Sequence, residues 1–190
     1  MMISKHQAVA SACSFLDDDN LPGAADLLRR EYPFTPPETV ERKYGDNEAL
    51  KVFLRDGFVD RYSGAHLVFP GVLRILAMRL PAEFPYHPNW KMTVTHLAFW
   101  ELSPTVDHIV PIARGGLDVE PNWVTTSMLR NSAKANWTLD ELGWKLLPPG
   151  DLSTWDGLLA WFVRHVGTHP DLLQNARIAG WHRAARFVAG

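Results

Sequence analysis

Four residues in the second half of the chain have side chains that bind metals, phosphates or protons. Asp107 and His108 are adjacent, and Asn131 and Lys134 follow about one strand and one helix later. A neutral imidazole accepts a proton near neutral pH. Carboxylate and amide oxygens suit Mg²⁺ or Mn²⁺. These residue types fit metal-assisted hydrolysis, which needs a base to activate water and a cation to neutralise developing negative charge.

Two strands and a turn are predicted around the Asp-His pair. The β-branched residues before Pro111 favour a strand, and Pro111 cannot donate a backbone hydrogen bond to a ladder. Gly115-Gly116 predicts a turn, because glycine adopts positive φ at no steric cost. A second strand is expected from about Asn122. The pair should therefore lie at the end of the first strand.

A helix is predicted after the second strand, from about Met128 to Trp137, because this span has no Gly or Pro. Thr126 or Ser127 can cap its first turn. Asn131 and Lys134 lie one turn apart in such a helix and share a face. The order strand, loop, strand, helix is expected to bring Asn131 and Lys134 close to the Asp-His pair.

The segment resembles the HNH, or ββα-metal, endonucleases over about a sixth of the chain. The likeness is carried by several residue types at fitting separations, namely Asp107-His108-Ile109-Val110-Pro111, Gly115-Gly116, Asn122 and Asn131-Ser132-Ala133-Lys134. The last motif position is Asn rather than His, which is similar to the HNH domain of RNA-guided CRISPR effectors. The resemblance implies a mainly helical α+β protein with a ββα-metal core at about 100–137.

The resemblance also implies an activity and a role for each motif residue. It implies a metal-dependent endonuclease that leaves a 5′-phosphate and a 3′-hydroxyl. His108 would activate water, and Asp107 and Asn131 would hold one divalent metal, Mg²⁺ or else Mn²⁺. The position of Asn122 implies hydrogen bonds across the loop that fix the base, for which an amide has both donor and acceptor. The alternative for His108 is a structural role, in which a histidine at the end of a strand is hydrogen-bonded to a carbonyl.

Three cations near the motif are candidate phosphate contacts: Lys134, Arg130 and Arg114. Lys134 can instead be a solvated surface residue. DNA is the expected substrate, and RNA is not excluded. Two other classes stay open, a nucleic-acid-binding module that does not cleave and a nuclease subunit directed by a protein partner.

Many HNH proteins connect the motif to the preceding region through a zinc knuckle of two Cys-x-x-Cys pairs. The matching positions here are Asp60 and Ser63, then Ser127 and Arg130, and none is a cysteine. We therefore expect no structural zinc of that kind. Eight tryptophans, all of them after residue 89, offer aromatic surface that can build a hydrophobic scaffold instead.

Composition describes an ordinary globular protein, with 46% hydrophobic and 21% charged residues and a single cysteine, Cys13. A formal net charge of -2 does not favour nucleic acid, so any DNA surface must be a local patch. One candidate is residues 176–190, which contain three arginines and no acid; a solvated terminal helix is the alternative. We expect a cytoplasmic protein without a membrane partner.

Two regions are expected. Residues 1–56 should form an N-terminal helical region, with two helices within residues 4–32 and two further helical stretches near 38–44 and 46–56. Residues 57–190 should form the HNH nuclease domain with C-terminal helices. A homodimer, or a protein partner bound through the N-terminal helices, stays open.

Overall fold

The computed structural model describes residues 3–34 and 44–189. This part of the chain is mostly helical with a small two-stranded antiparallel sheet, so the predicted α+β class is confirmed. The elements in chain order are α1 (Lys5–Asp17), α2 (Leu21–Glu31), α3 (Asp46–Arg55), α4 (Pro70–Arg79), α5 (Ala98–Glu101), β1 (Pro104–His108), β2 (Trp123–Ser127), α6 (Met128–Lys134), α7 (Leu139–Leu142), α8 (Leu159–Thr168) and α9 (Ala176–Ala189). Among these residues no helix is long and apolar enough to cross a membrane.

The chain divides into two compact units, of which the first is Met1–Glu38. It contains the two helices predicted for residues 4–32. Ser4 caps α1 in a reciprocal box with Gln7, which satisfies backbone donors that the first turn leaves open. A small core of Ala12, Ala24 and Leu27 joins α1 to α2.

The second unit is Thr39–Gly190 and includes α3. Leu50, Val52 and Phe53 of α3 are almost completely buried in the same core as Val106 of β1. The unit boundary therefore lies nearer to residue 38 than to the expected residue 56, because the apolar face of α3 packs against the sheet and α9. The helix expected at 38–44 falls almost entirely outside the described residues.

β1 and β2 pair antiparallel, with Val106 opposite Thr125 and His108 opposite Trp123. Two buried carboxylates after α3 bind the backbone of β2. Thr125 N donates to Asp56 Oδ2 at 2.7 Å, and Ser127 N donates to Asp60 Oδ2 at 2.9 Å. These bonds satisfy backbone donors that a two-stranded sheet would otherwise leave unpaired.

The Asp60 carboxylate also connects the positions that we compared with a zinc knuckle. Its Oδ1 accepts from the backbone N–H groups of Tyr62 and Ser63 at 2.9 and 3.2 Å, and from the Thr126 hydroxyl at 3.2 Å. Ser127 Oγ accepts from Arg130 N and caps α6. A buried carboxylate, 1% exposed as a residue, thus joins the turn at 60–63 to the start of α6.

Most of the tryptophans pack into two aromatic clusters. Trp123, Trp155, Trp161 and Trp181 belong to or pack against the core that contains Val106, and Trp90 and Trp100 pack around Phe99. Trp137 differs, with 43% of its surface exposed. The expected aromatic scaffold is therefore present, although Trp137 takes little part in it.

α6 ends at Lys134, three residues before the predicted end. Ala135 has φ +46° and ψ -121°, which no helical residue adopts. This conformation lies in the region of positive φ that favours glycine. Since Ala135 leaves the helical path, Trp137 is placed outside α6.

Candidate functional site

Asp107 and His108 are the last two residues of β1, and each is 7% exposed. α3 and α6 both pack against the two strands, so the end of β1 is enclosed by helices. His108 lies opposite Trp123 at the start of β2. The pair is therefore held inside the protein at the point where the chain leaves the sheet for the loop.

The loop after β1 is fixed by two glycines and one amide. Gly115 has φ +85°, and a Cβ on Gly116 would lie 1.9 Å from the carbonyl oxygen of Val110. Asn122 Oδ1 accepts from Val110 N, while its Nδ2 donates to the carbonyls of Val110 and Leu117, each at 2.9 Å. Asn122 thus ties both sides of the loop together directly after His108.

One oxygen of Asp107 is held by two donors. Oδ2 accepts from Lys134 Nζ at 2.9 Å and from the Tyr62 hydroxyl at 2.6 Å. Burial, and secondarily the charge of Asp107, raises the pKa of the Tyr62 hydroxyl, so Tyr62 stays protonated and donates. Oδ1 makes no hydrogen bond to the described residues. The Asp107 side chain is 9% exposed.

Lys134 was predicted to contact phosphate, and its position corrects this. Its side chain is 0% exposed, and Nζ donates to the His108 carbonyl at 2.7 Å as well as to Asp107. α6 packs on both strands, so the inward face of the helix carries this ammonium into the sheet. A charge that is buried and paired in this way orients the Asp107 carboxylate rather than a substrate.

His108 is held by Asp118 and Trp123. His108 Nε2 lies 2.8 Å from Asp118 Oδ1, and Trp123 Nε1 donates to the same oxygen at 2.9 Å. The side chains of His108 and Asp118 are 8% and 5% exposed. His108 Nδ1 makes no hydrogen bond to the described residues.

Asn131, the other predicted ligand, lies in α6 one turn before Lys134 and is half-buried. Its side chain makes no hydrogen bond within the described residues. No cluster of three or more His, Cys, Asp or Glu side chains suited to a metal occurs there either. Asp107 Oδ1 and the Asn131 amide oxygen are hard donors of the kind that Mg²⁺ takes, and neither makes a hydrogen bond to the described residues.

The two arginines near the site differ in the protein groups that they already contact. Arg114 is exposed and interacts with the carbonyl of Asn136 and with Glu141 at 3.4 Å. Arg130 is half-buried, with its guanidinium carbon 5.1 Å from the ring centroid of Trp144. Arg130 has no carboxylate within 4 Å among the described residues. It is thus the better placed of the two to accept an anion.

Tyr62, Asp118 and Trp123 contact the Asp-His pair and were not predicted. Tyr62 is 45 residues from Asp107 in sequence, and no local pattern indicates that contact. Asp118 lies ten residues after His108, in the loop that the paired glycines predict. A carboxylate in that loop is a sequence feature that could have identified the partner of His108.

The site therefore combines a carboxylate held through Oδ2, a histidine held through Nε2 and an amide whose side chain makes no hydrogen bond to the described residues. The first two lie at the end of β1 and the third in α6. Comparison of the chain with protein-family models, with curated proteins and with solved structures finds no match in any of the three.

Proposed function

We propose that this protein is a metal-dependent endonuclease of the HNH, or ββα-metal, type that hydrolyses phosphodiester bonds in DNA. The observation that supports it most is the buried Asp-His pair at the end of β1. Asp107 Oδ2 and His108 Nε2 are held by protein groups, while Asp107 Oδ1 and His108 Nδ1 make no hydrogen bond to the described residues. A metal ligand and a base that act side by side on one substrate need such an arrangement.

The other contacts suit the same reaction. Tyr62 and Lys134 fix the Asp107 carboxylate through Oδ2, as outer groups commonly do for a ligating carboxylate. Asn122 braces the loop next to His108, so the imidazole that accepts the proton of water keeps its place. Arg130 supplies a cation for a phosphate of the substrate.

Asp107 Oδ1 and the Asn131 amide would hold the metal, Mg²⁺ in the first instance and Mn²⁺ as an alternative. When bound, such an ion neutralises charge on the phosphate and on the leaving oxygen. Neither Asp107 Oδ1 nor the Asn131 amide has a hydrogen-bond partner among the described residues to give up on binding it. A structural zinc is not part of the proposal, because the Asp60 carboxylate joins the turns that a knuckle would join.

Purified protein incubated with supercoiled plasmid tests the proposal, with Mg²⁺, with Mn²⁺ and with chelator. We expect metal-dependent nicking or linearisation that is lost in His108→Ala and in Asp107→Asn. His169→Ala and Asp140→Asn are matched controls, since both side chains are exposed. Cleavage by the controls at the wild-type rate would place the chemistry at the pair.

A wild-type protein that binds DNA or RNA and leaves both intact with every metal would overturn the proposal. The non-cleaving nucleic-acid-binding module would then replace it. Cleavage that survives in both His108→Ala and Asp107→Asn would overturn the assignment of the active site. The activity would then come from other residues or from another protein in the preparation. Single-stranded RNA in the same assay separates DNA from RNA as the substrate.

A further inference from the structure

The Asp118 carboxylate fixes which nitrogen of His108 carries the proton. Asp118 Oδ1 lies 2.8 Å from His108 Nε2 and 2.9 Å from Trp123 Nε1, and these two nitrogens lie 3.2 Å apart. Indole Nε1 is only a donor, and the shorter of its two contacts is the one to the carboxylate oxygen rather than the one to His108 Nε2. An unprotonated Nε2 would place a lone pair against that same oxygen at 2.8 Å. This distance therefore favours a proton on Nε2 that is donated to Asp118.

We infer that Asp118 is a positioning residue that holds His108 in the Nε2–H tautomer, so that Nδ1 is the atom that takes the proton from water. Nδ1 makes no hydrogen bond to the described residues, and the His108 side chain is 8% exposed. The inference rests on the proposed nuclease function for its catalytic meaning. The tautomer itself can be measured without any substrate.

In the proposed hydrolysis, each bond that forms is matched by one that breaks. Nδ1 of the neutral imidazole takes one proton from water while the water oxygen bonds to phosphorus. The bond from phosphorus to the leaving oxygen breaks, and that oxygen takes a proton from solvent. The imidazolium then has a proton on each nitrogen, and the Asp118 carboxylate stabilises it through Nε2–H. Asp118 itself touches neither water nor phosphate in this step.

The ring nitrogens of His108 report the tautomer directly in a long-range ¹H–¹⁵N spectrum of the full chain, recorded at mildly alkaline pH where imidazole is neutral. His108→Gln assigns the signals by their loss. We expect wild type to show a protonated Nε2 and an unprotonated Nδ1. A wild-type spectrum with the proton on Nδ1 would overturn the inference, and this measurement needs no Asp118 variant.

Asp118→Ala should give a mixture of tautomers and lower kcat about 10- to 100-fold with little change in KM. Asp118→Asn should recover the Nε2–H tautomer and part of kcat, because its amide oxygen can still accept from both nitrogens. Asp140→Ala, which removes an exposed carboxylate, is the control and should match wild type. An unchanged tautomer in Asp118→Ala would contradict the inference.

The two readouts separate the two proposals. A protein with the expected tautomer and no nuclease activity under any condition would keep Asp118 as the partner of His108 and remove the proposed function. An active nuclease whose His108 carries its proton on Nδ1 would keep the function and remove Asp118 as its positioning residue.

Discussion

The Tyr62 hydroxyl donates to Asp107 Oδ2 at 2.6 Å, across 45 residues of sequence. Tyr62 belongs to the turn at 60–63, which the Asp60 carboxylate binds to the start of α6. The carboxylate that joins this turn to the start of α6 thus also places the tyrosine that orients a proposed metal ligand. Scaffold and site are joined through one short turn.

Tyr62→Phe removes this hydrogen bond and keeps the ring against Trp144. Hydrogen bonds to charged groups contribute about 1.5 to 3 kcal/mol, so the free energy of unfolding at neutral pH should fall by about that amount. Urea denaturation measures it. Tyr32→Phe, which alters a tyrosine that is 44% exposed, should change stability by much less. Equal effects of the two substitutions would mean that the bond to Asp107 contributes nothing.

The effect of Tyr62→Phe on the free energy of unfolding should depend on pH in the alkaline range. Burial and Asp107 raise the pKa of Tyr62 in the folded protein above the unfolded value of about 10. A raised pKa stabilises the fold below the unfolded value, and this contribution is lost as pH rises above it, at up to about 1.4 kcal/mol per pH unit. The stability gap between wild type and Tyr62→Phe should therefore shrink between about pH 9 and about pH 11. A constant gap in urea denaturation would contradict this.

Lys134→Met leaves the Asp107 carboxylate buried without its ammonium. Removing one partner of a buried ion pair costs about 3 to 5 kcal/mol, and urea denaturation should show a loss of this size. In the double variant Lys134→Met with Asp107→Asn, the unpaired charge is gone, so the loss should be smaller than the sum of the single losses. Exact additivity would indicate that the two side chains do not interact.

Asp60→Asn replaces one carboxylate oxygen with an NH₂ group. Whichever way the amide turns, a donor then faces a backbone N–H, either that of Ser127 or those of Tyr62 and Ser63. We expect a loss of about 2 to 3 kcal/mol in unfolding free energy, because a buried donor is left without an acceptor. Asp151→Asn changes an exposed carboxylate and serves as the control. Equal stability of the two variants would count against the role of Asp60 as a cross-link.

The sequence could predict the features that depend on neighbours within a few residues. The end of β1 near Pro111, the Gly115-Gly116 turn and the Ser127 cap are all present, because each follows from local backbone preferences. The same reasoning placed Asn131 and Lys134 in one helix. It could not predict which side of α6 faces the sheet, and for that reason Lys134 was assigned to phosphate instead of to Asp107.

Contacts between distant segments needed the structure. Tyr62 reaches Asp107, and Asp60 reaches Ser127, over separations that no periodicity reveals. The position of α3 also depends on a contact between distant segments. Its charged sequence predicts that it belongs to the N-terminal region, yet its apolar face completes the core around Val106. Burial of that face, rather than closeness in sequence, decided which unit α3 joined.

Ala135 has φ +46° and ψ -121°, a backbone conformation that strains any residue that has a Cβ. Ala135→Gly should raise the free energy of unfolding by about 1 kcal/mol, and the melting temperature by about 2 to 4 °C. Ala133→Gly is the matched control in the exposed part of α6, where glycine should cost about 1 kcal/mol. Calorimetry of the three proteins should show shifts of opposite sign. A lower melting temperature for Ala135→Gly would mean that a regular backbone at this position, rather than a strained one, ends α6.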